Sequence, residues 1–351
     1  MKIIHILWSL KYGGAETMLL DIINRQCIHH DVELLIVNQD NDDELLSQVN
    51  PRIRIRRINR PHRSKNPYYI FQINLFLLFS KADIIHSHMD DFVKYYPLSF
   101  LKNNLYLTIH SVRLGYKGIH KYNHLFAISD EVCESIRKQT GLETTVVYNG
   151  IDIKQFNREK NSPTNHLFKI IQIGRLDHPC KGQHLTLKAI HLLVTKYQYT
   201  DFHVDIIGEG NSEKYLKELC NQLKMDAYVT FCGTKTKTYI QENLTHYDLL
   251  VQPSLYEGFG LTIIEAMNAM TPTLISNVDG MKTASCNGEN SYTFQSGNVE
   301  DYATQLLKII QKPATERIQL AEKAYPYVCQ HFDISVTVDN YLKYYKNPPR
   351  A

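Results

Sequence analysis

Two carboxylates and two cations are the residues of this 351-residue chain best placed to do chemistry. Glu257 and Glu265 flank a glycine-bearing turn in PSLYEGFGLTIIEAMNAMTPTLIS, residues 253–276. Gly258 and Gly260 let backbone N–H groups approach a ligand, and Leu261, Ile263, Ile264, Ala266 and Met267 read as the first turns of a buried helix. The N-terminus of such a helix favours an anion, so the turn suits a phosphorylated sugar. Further back, IGRLDHPCKGQH puts Arg175 just after a predicted strand and Lys181 beside Gly182 at a helix start. As a glycosidic C–O bond to a diphosphate breaks, negative charge grows on the phosphate oxygens, and prepositioned cations stabilise it most at the transition state. A pair of ordinary surface cations is the plainer account of the same residues.

Paired carboxylates also mark glycoside hydrolysis. Eight residues along a continuous helix separate two side chains by about 12 Å at 1.5 Å per residue, whereas a retaining hydrolase needs about 5–5.5 Å. The spacing disfavours a hydrolase without excluding it, because the turn could shorten the distance. A helix capped through the backbone at Glu257, with Glu265 solvated, would also fit.

The elements that must position these residues alternate between short buried strands and longer helices. The first half reads KIIHIL, a helix from about 15 to 25, VELLIV, RIRIRRI, a helix around 68–80, ADIIHSH, LYLTIH and HLFAIS. The second reads FKIIQIG, a helix from about 182 to 197, FHVDIIG, a helix near 213–223, YVTFCG, DLLVQPS, the helix bearing Glu265, and TPTLIS. This alternation indicates parallel, doubly wound α/β sheets, one in each half. Asn149 and Gly150 mark a turn, and the charged segment 157–166 reads as a linker, which puts the boundary near 160. In such sheets ligands bind beyond the carboxyl ends of the strands. Gly13 and Gly14 fall there after the first strand, where backbone N–H groups could face a diphosphate or simply make a tight turn. The third glycine of a dinucleotide fingerprint is missing, and IIGEGNSE has Gly208 and Gly210 but Glu213 in that place.

The E-x7-E spacing of Glu257 and Glu265, the G-R-L then K-G pattern around Arg175 and Lys181, TIH ending at His110, NGID with Phe156, FCG ending at Gly233 and YDLLVQPS with Ser254 together resemble glycosyltransferase family 4, the retaining group 1 transferases. The resemblance covers nearly the whole chain. It implies a GT-B fold, α/β throughout, with two Rossmann-like domains facing across a cleft. Residues 1–160 would bind the acceptor and 161–333 the nucleotide-sugar donor, with a last helix at about 334–351 returning to the first domain. His110, Arg175, Lys181 and Glu257 would be catalytic, His110 touching the donor sugar. Donor contacts would come from Gly13, Gly14, Gly174, Gly208, Cys232 and Gly233. Ser254, Gly258, Phe259, Gly260, Leu261 and Glu265 would add others, Glu265 holding the ribose. The implied chemistry is transfer from a UDP-sugar or similar donor to a glycan or lipid-linked glycan, in polysaccharide or glycolipid assembly, without metal or other cofactor. One stretch departs from the family: Asp279 and Gly280 are followed by Lys282 and Thr283 where an acid is usual, and Ser291 replaces a glycine. These changes keep two rivals open, a non-catalytic GT-B partner subunit and another nucleotide-sugar enzyme such as an epimerase or phosphorylase.

Composition bounds the rest. With 43% apolar residues the chain can bury two cores, and a formal charge of +3 carries no nucleic-acid signature. Seven cysteines without a C-x-x-C pair argue for a reducing compartment and against a disulfide frame or structural zinc, so a cytoplasmic location is expected. The apolar run from Tyr68 to Phe79 is too short to span a membrane. Before it, RIRIRRINRPHRSK supplies Arg52, Arg54, Arg56, Arg57, Arg60, Arg63 and Lys65, with Ile53 and Ile55 expected inward and the arginines outward. Those cations are either a solvated strand face or a contact with anionic lipid at the inner face of the cell membrane. His86 and His88 share one side of a strand end at a spacing metal ligands can use, but no acidic or cysteine partner accompanies them.

Overall fold

The computed structural model describes residues 1–11, 13–101, 104–112, 115–158 and 167–347. The chain divides into two compact units, Met1–Ile151 with the returning stretch from Ile334, and Asp152–Asp333.

The first unit is built on β1 (Lys2–Leu7), α1 (Gly14–Gln26), β2 (Asp31–Asn38), α2 (Asp43–Ser47), β3 (Arg54–Arg60), α3 (Pro67–Phe79), β4 (Ile84–Ser87), β5 (Leu105–Ile109), β6 (His124–Ala127), α4 (Asp130–Thr140) and β7 (Thr145–Val146). Its strands form one parallel sheet in the order β3-β2-β1-β4-β5-β6-β7. Helices cover both faces of such a sheet, and that is why β2 can bury seven of its eight residues as a nearly unbroken aliphatic run. Local signals start and stop the helices. The Ser129 hydroxyl accepts from the Val132 N–H to cap α4, and Gly141 ends it in the left-handed region.

The second unit comprises β8 (Phe168–Ile173), α5 (His178–Lys181), α6 (Gln183–Thr195), β9 (Phe202–Ile207), α7 (Glu213–Gln222), β10 (Val229–Phe231), α8 (Lys237–Asn243), β11 (Leu249–Gln252), α9 (Leu261–Asn268), β12 (Thr273–Ser276), α10 (Lys282–Ser285), β13 (Tyr292–Phe294), α11 (Val299–Gln311) and α12 (Ala314–His331). Its six strands are ordered β10-β9-β8-β11-β12-β13, and those pairings too are parallel. Leu187, Ile190, Val204, Leu249 and Tyr302 sit in its core.

The final helix, α13 (Ile334–Lys346), belongs to the first unit. Tyr341 and Tyr345 anchor it: the Tyr345 hydroxyl is 2.5 Å from His86 Nδ1, and the Tyr341 hydroxyl is 3.0 Å from Thr108 Oγ1. The expected boundary near 160 moves back to Ile151, because the segment that follows bonds to the second unit. Asn157 N–H donates to Gln241 O (3.0 Å), and Arg158 Nε donates to Asn268 O (3.0 Å). The remainder of the expected linker, 159–166, lies outside the described residues.

One sequence expectation fails in β3. Arg54, Arg56 and Arg57 are exposed as foreseen, but Arg60 is buried, with 6% of its surface exposed. The pairing of β3 with β2 shifts register between Ile36 and Asn38, and Asn59 has a φ of 55°. This break in the two-residue alternation turns Arg60 to the inside.

Candidate active site

In the second unit the site is assembled where β8 and β11 end. Gly182 closes α5 with a φ of 68°, and a Cβ on it would lie 1.9 Å from the Pro253 carbonyl oxygen. Glycine therefore lets the Lys181 turn press against the loop leaving β11. Leu255 and Tyr256 N–H groups both donate to the Cys180 carbonyl, at 2.8 and 3.2 Å, and stitch the two segments together.

That stitching unites two of the residues singled out in the sequence. Lys181 Nζ donates to Glu257 Oε2 at 2.7 Å, and the same oxygen accepts from Gln252 Nε2 (3.2 Å) and Ser254 Oγ (3.3 Å). Glu257 Oε1 accepts from the Gly258 N–H at 3.2 Å. A carboxylate held by four donors has one orientation, and Oε1 retains room to accept from a ligand hydroxyl. Glu257 precedes α9, which begins at Leu261, so the axial separation of about 12 Å for a continuous helix does not describe the two glutamates. Glu265 lies half-buried within α9. Gly280 packs on this motif: a Cβ there would stand 1.7 Å from the Glu257 carbonyl oxygen.

The other donor positions fall on neighbouring strand ends. Gly174 N–H donates to Ile207 O (3.0 Å) and Gly208 N–H to Gly233 O (2.9 Å), which aligns the ends of β8, β9 and β10. Arg175 is exposed and pairs with Asp177 at 2.9 Å. Burial, then the Asp205 charge, pushes the Cys232 thiol up to about 11, so it is protonated at neutral pH. The Phe259 side chain is core, edge-on to Phe332 at 5.3 Å, which leaves its backbone for any ligand. The departures have local partners: Lys282 pairs with Asp279 (2.7 Å), and Ser291 Oγ is 2.7 Å from Thr273 Oγ1 on β12.

In the first unit His110 ends a chain of imidazoles. Its Nε2 is 3.2 Å from His88 Nδ1, His88 Nε2 is 3.0 Å from His5 Nδ1, and His5 Nε2 is 2.8 Å from Gln26 Oε1. His5 went unnoticed in the sequence. It pairs with His86 across β1 and β4, although 81 positions separate them in the chain. Burial lowers His5 to about 4, partly offset by its bond to Gln26, and holds His86 and His88 well below the usual imidazole range. His5, His86 and His88 are close enough to share a cation. Yet both nitrogens of His86 are taken, by Tyr345 and Thr108, so the cluster reads as a hydrogen-bonded network of neutral rings. At Gly13, which precedes α1, the Glu16 carboxylate folds back: Oε2 is 2.4 Å from where a Cβ would be. The helix end expected to face a diphosphate is thus faced by its own acid.

Two doubly wound units with parallel sheets are the architecture of the GT-B class. Family profiles agree on both halves: "Glycosyltransferase Family 4" matches residues 12–155 and "Glycosyl transferases group 1" matches 153–326. The chain belongs to this family of group 1 glycosyltransferases. It is 27% identical over 293 residues to an uncharacterized glycosyltransferase of Methanocaldococcus jannaschii, covering 72% of this chain and 73% of that protein. It is 28% identical over 188 residues to the glycogen synthase of Mycobacterium tuberculosis, covering 54% of this chain but 44% of the synthase. Among solved structures, Anabaena HepE in complex with UDP and glucose superposes with a TM-score of 0.82 at 21% identity, over 99% of this chain and 100% of HepE.

Proposed function

We propose that the protein is a retaining, metal-independent transferase that moves a sugar from a UDP-sugar to a glycan or lipid-linked glycan in cell-surface polysaccharide or glycolipid assembly. The observation that carries this reading is the Lys181–Glu257 pair, fixed by Gln252, Ser254 and Gly258. The UDP held by HepE supports the choice of nucleotide. The unit 152–333 binds the donor and the first unit the acceptor. The acceptor hydroxyl attacks the anomeric carbon on the face the diphosphate is leaving, and its proton passes to a leaving phosphate oxygen. Arg175 and Lys181 take up the growing negative charge, Glu257 orients the sugar and Lys181, and His110 steadies the sugar.

No helix among the described residues is long and apolar enough to cross a membrane. Peripheral contact with anionic lipid is part of the proposal. Tyr68, Phe71, Leu75 and Phe79 are exposed along one face of α3, and Arg56 lies over the Phe76 ring at 5.2 Å. Arg52, Arg54, Arg57, Arg63 and Lys65 add exposed charge nearby in sequence, whereas Arg60 is withdrawn from this surface. Flotation with liposomes that ignored their anionic content would remove the membrane contact from the proposal.

Incubating the protein with UDP-, GDP- and ADP-sugars, with and without EDTA, tests the main reading. Selective nucleoside diphosphate release that survives EDTA and falls in Glu257→Ala is expected. Release that requires a divalent cation, or that persists unchanged in Glu257→Ala, would refute it.

A further inference from the structure

A second concave site lies wholly within the first unit, beyond the carboxyl ends of β1 to β4 and beside the start of α3. It is a cavity of about 910 Å³, within the size range of small-molecule sites. Arg60 forms its floor. The guanidinium lies between two aromatic rings, 4.8 Å from Trp8 and 5.0 Å from Tyr95. Nε donates to Asn38 Oδ1 (3.0 Å), and Nη1 donates to the Ser64 carbonyl (3.1 Å) and the Tyr95 hydroxyl (3.3 Å). Among the described residues Nη2 has no acceptor, and no carboxylate pairs with the guanidinium.

A buried charge without a counter-charge is costly, and cation–π contacts offset only part of that cost. The surroundings do not supply the missing anion. The two acids that line the cavity already face lysines: Asp40 pairs with Lys11, and Asp91 lies 3.9 Å from Lys94 while accepting from Trp8 Nε1. Arg63 and Lys65 also line it and have no carboxylate partner among the described residues, so the cavity carries an excess of positive charge. The positive end of the 13-residue helix α3 adds to it.

We propose that this cavity binds an oxyanion carried by the acceptor, a phosphate or carboxylate on a sugar, with Arg60 as its buried partner and Arg63 and Lys65 at its rim. A guanidinium fixed by three bonds, with one nitrogen left to donate, suits either group. The acceptor class is therefore anionic. This deepens the reading of the first unit as the acceptor side and rests on it.

Trp8 is the only tryptophan of the chain, and it touches Arg60, so its fluorescence reports the cavity directly. The full chain is titrated with glucose 6-phosphate, glucuronate, glucose and inorganic phosphate. A saturable change is expected with glucose 6-phosphate or glucuronate, at concentrations at least about tenfold below those at which glucose or inorganic phosphate acts. The stronger of the two names the group. Arg60→Gln should weaken the response at least about tenfold. The Arg63→Ala/Lys65→Ala double variant, changed only at exposed positions, should weaken it about threefold or more and steepen with falling salt. No saturable response to either anion, curves unchanged in the rim variant, or glucose binding as tightly as its phosphate would each overturn the proposal. Tighter binding of inorganic phosphate would overturn the acceptor assignment. The titration needs no turnover, so a silent Trp8 in an active transferase sinks this inference alone, and a responsive Trp8 in a protein that transfers no sugar keeps the anion site but sinks the transferase reading and, with it, the acceptor assignment.

Discussion

Lys181 and Glu257 stand 76 positions apart in the chain, yet their side chains meet at 2.7 Å, with 23% and 12% of their side-chain surface exposed. Each holds the other in place, so removing either leaves a largely enclosed charge. Glu257→Ala and Lys181→Ala should each lower turnover by about 10²–10³-fold and unfolding stability by about 1–3 kcal/mol. The Lys181→Met/Glu257→Gln double variant should recover most of the stability and none of the activity. Steady-state kinetics beside urea melts separate the two effects, and full turnover in either single variant would contradict the assigned roles.

Gly280→Ala probes the site without touching a charged group. Its new methyl would meet the Glu257 carbonyl, so the loop carrying Glu257 must shift. An overpacking cost of about 1–3 kcal/mol is expected, with a fall in kcat larger than the rise in KM. Gly288→Ala, at a φ of 88° and with a Cβ that would meet Thr293 and not the Glu257 loop, serves as the comparison: it should cost stability while leaving kcat near wild type.

His88→Asn removes the ring that bonds to His110 at 3.2 Å. His110 should then lose its fixed orientation, lowering kcat/KM for the donor while the melting temperature falls by only a few degrees. His86→Asn, which breaks the bonds to Tyr345 and Thr108, should do the reverse, loosening α13 with a smaller effect on donor kinetics. Equal kinetic losses in both variants would mean that the imidazole chain is structural throughout.

Acid should destabilise the first unit over a definite window. His5 has a pKa near 6.5 when unfolded and about 4 when folded, so between these values the unfolded chain binds more protons. Its contribution is full above pH 6.5 and is lost as pH falls towards 4, at up to about 1.4 kcal/mol per pH unit. His86 and His88, lowered in the same direction, steepen the loss. Thermal melts from pH 7 to 4.5 should show a steep decline that is shallower in His5→Gln; parallel declines would refute the linkage.

Much of this was legible in the chain. Aliphatic runs such as VELLIV and DLLVQPS gave the strands, because a sheet covered on both faces leaves little room for polar residues. The turn glycines and the spacing of Glu257 and Glu265 pointed to the candidate site of the second unit, where the fold brings Lys181 against Glu257. Features that depend on pairing between distant strands were not legible. His5 meets His86 only because β1 neighbours β4, and Arg60 turns inward only because β3 slips its register against β2. The helices α11 and α12 also went unread, as did the tyrosines that bind α13 to β4 and β5. Arg60 leaves the expected outward face for that single reason, while the exposure of Arg54, Arg56 and Arg57 follows the pattern.

The return of α13 has a consequence for how the protein is made. The chain leaves the first unit at Ile151 and re-enters it at Ile334, and these two residues are joined directly, Ile334 N–H donating to Ile151 O at 2.8 Å. The second unit is thus a continuous insertion into a discontinuous host. On the ribosome residues 152–333 are complete while Tyr341 and Tyr345 have yet to emerge, so the half begun first is finished last. Until that helix arrives, His86 and Thr108 lack their tyrosine partners.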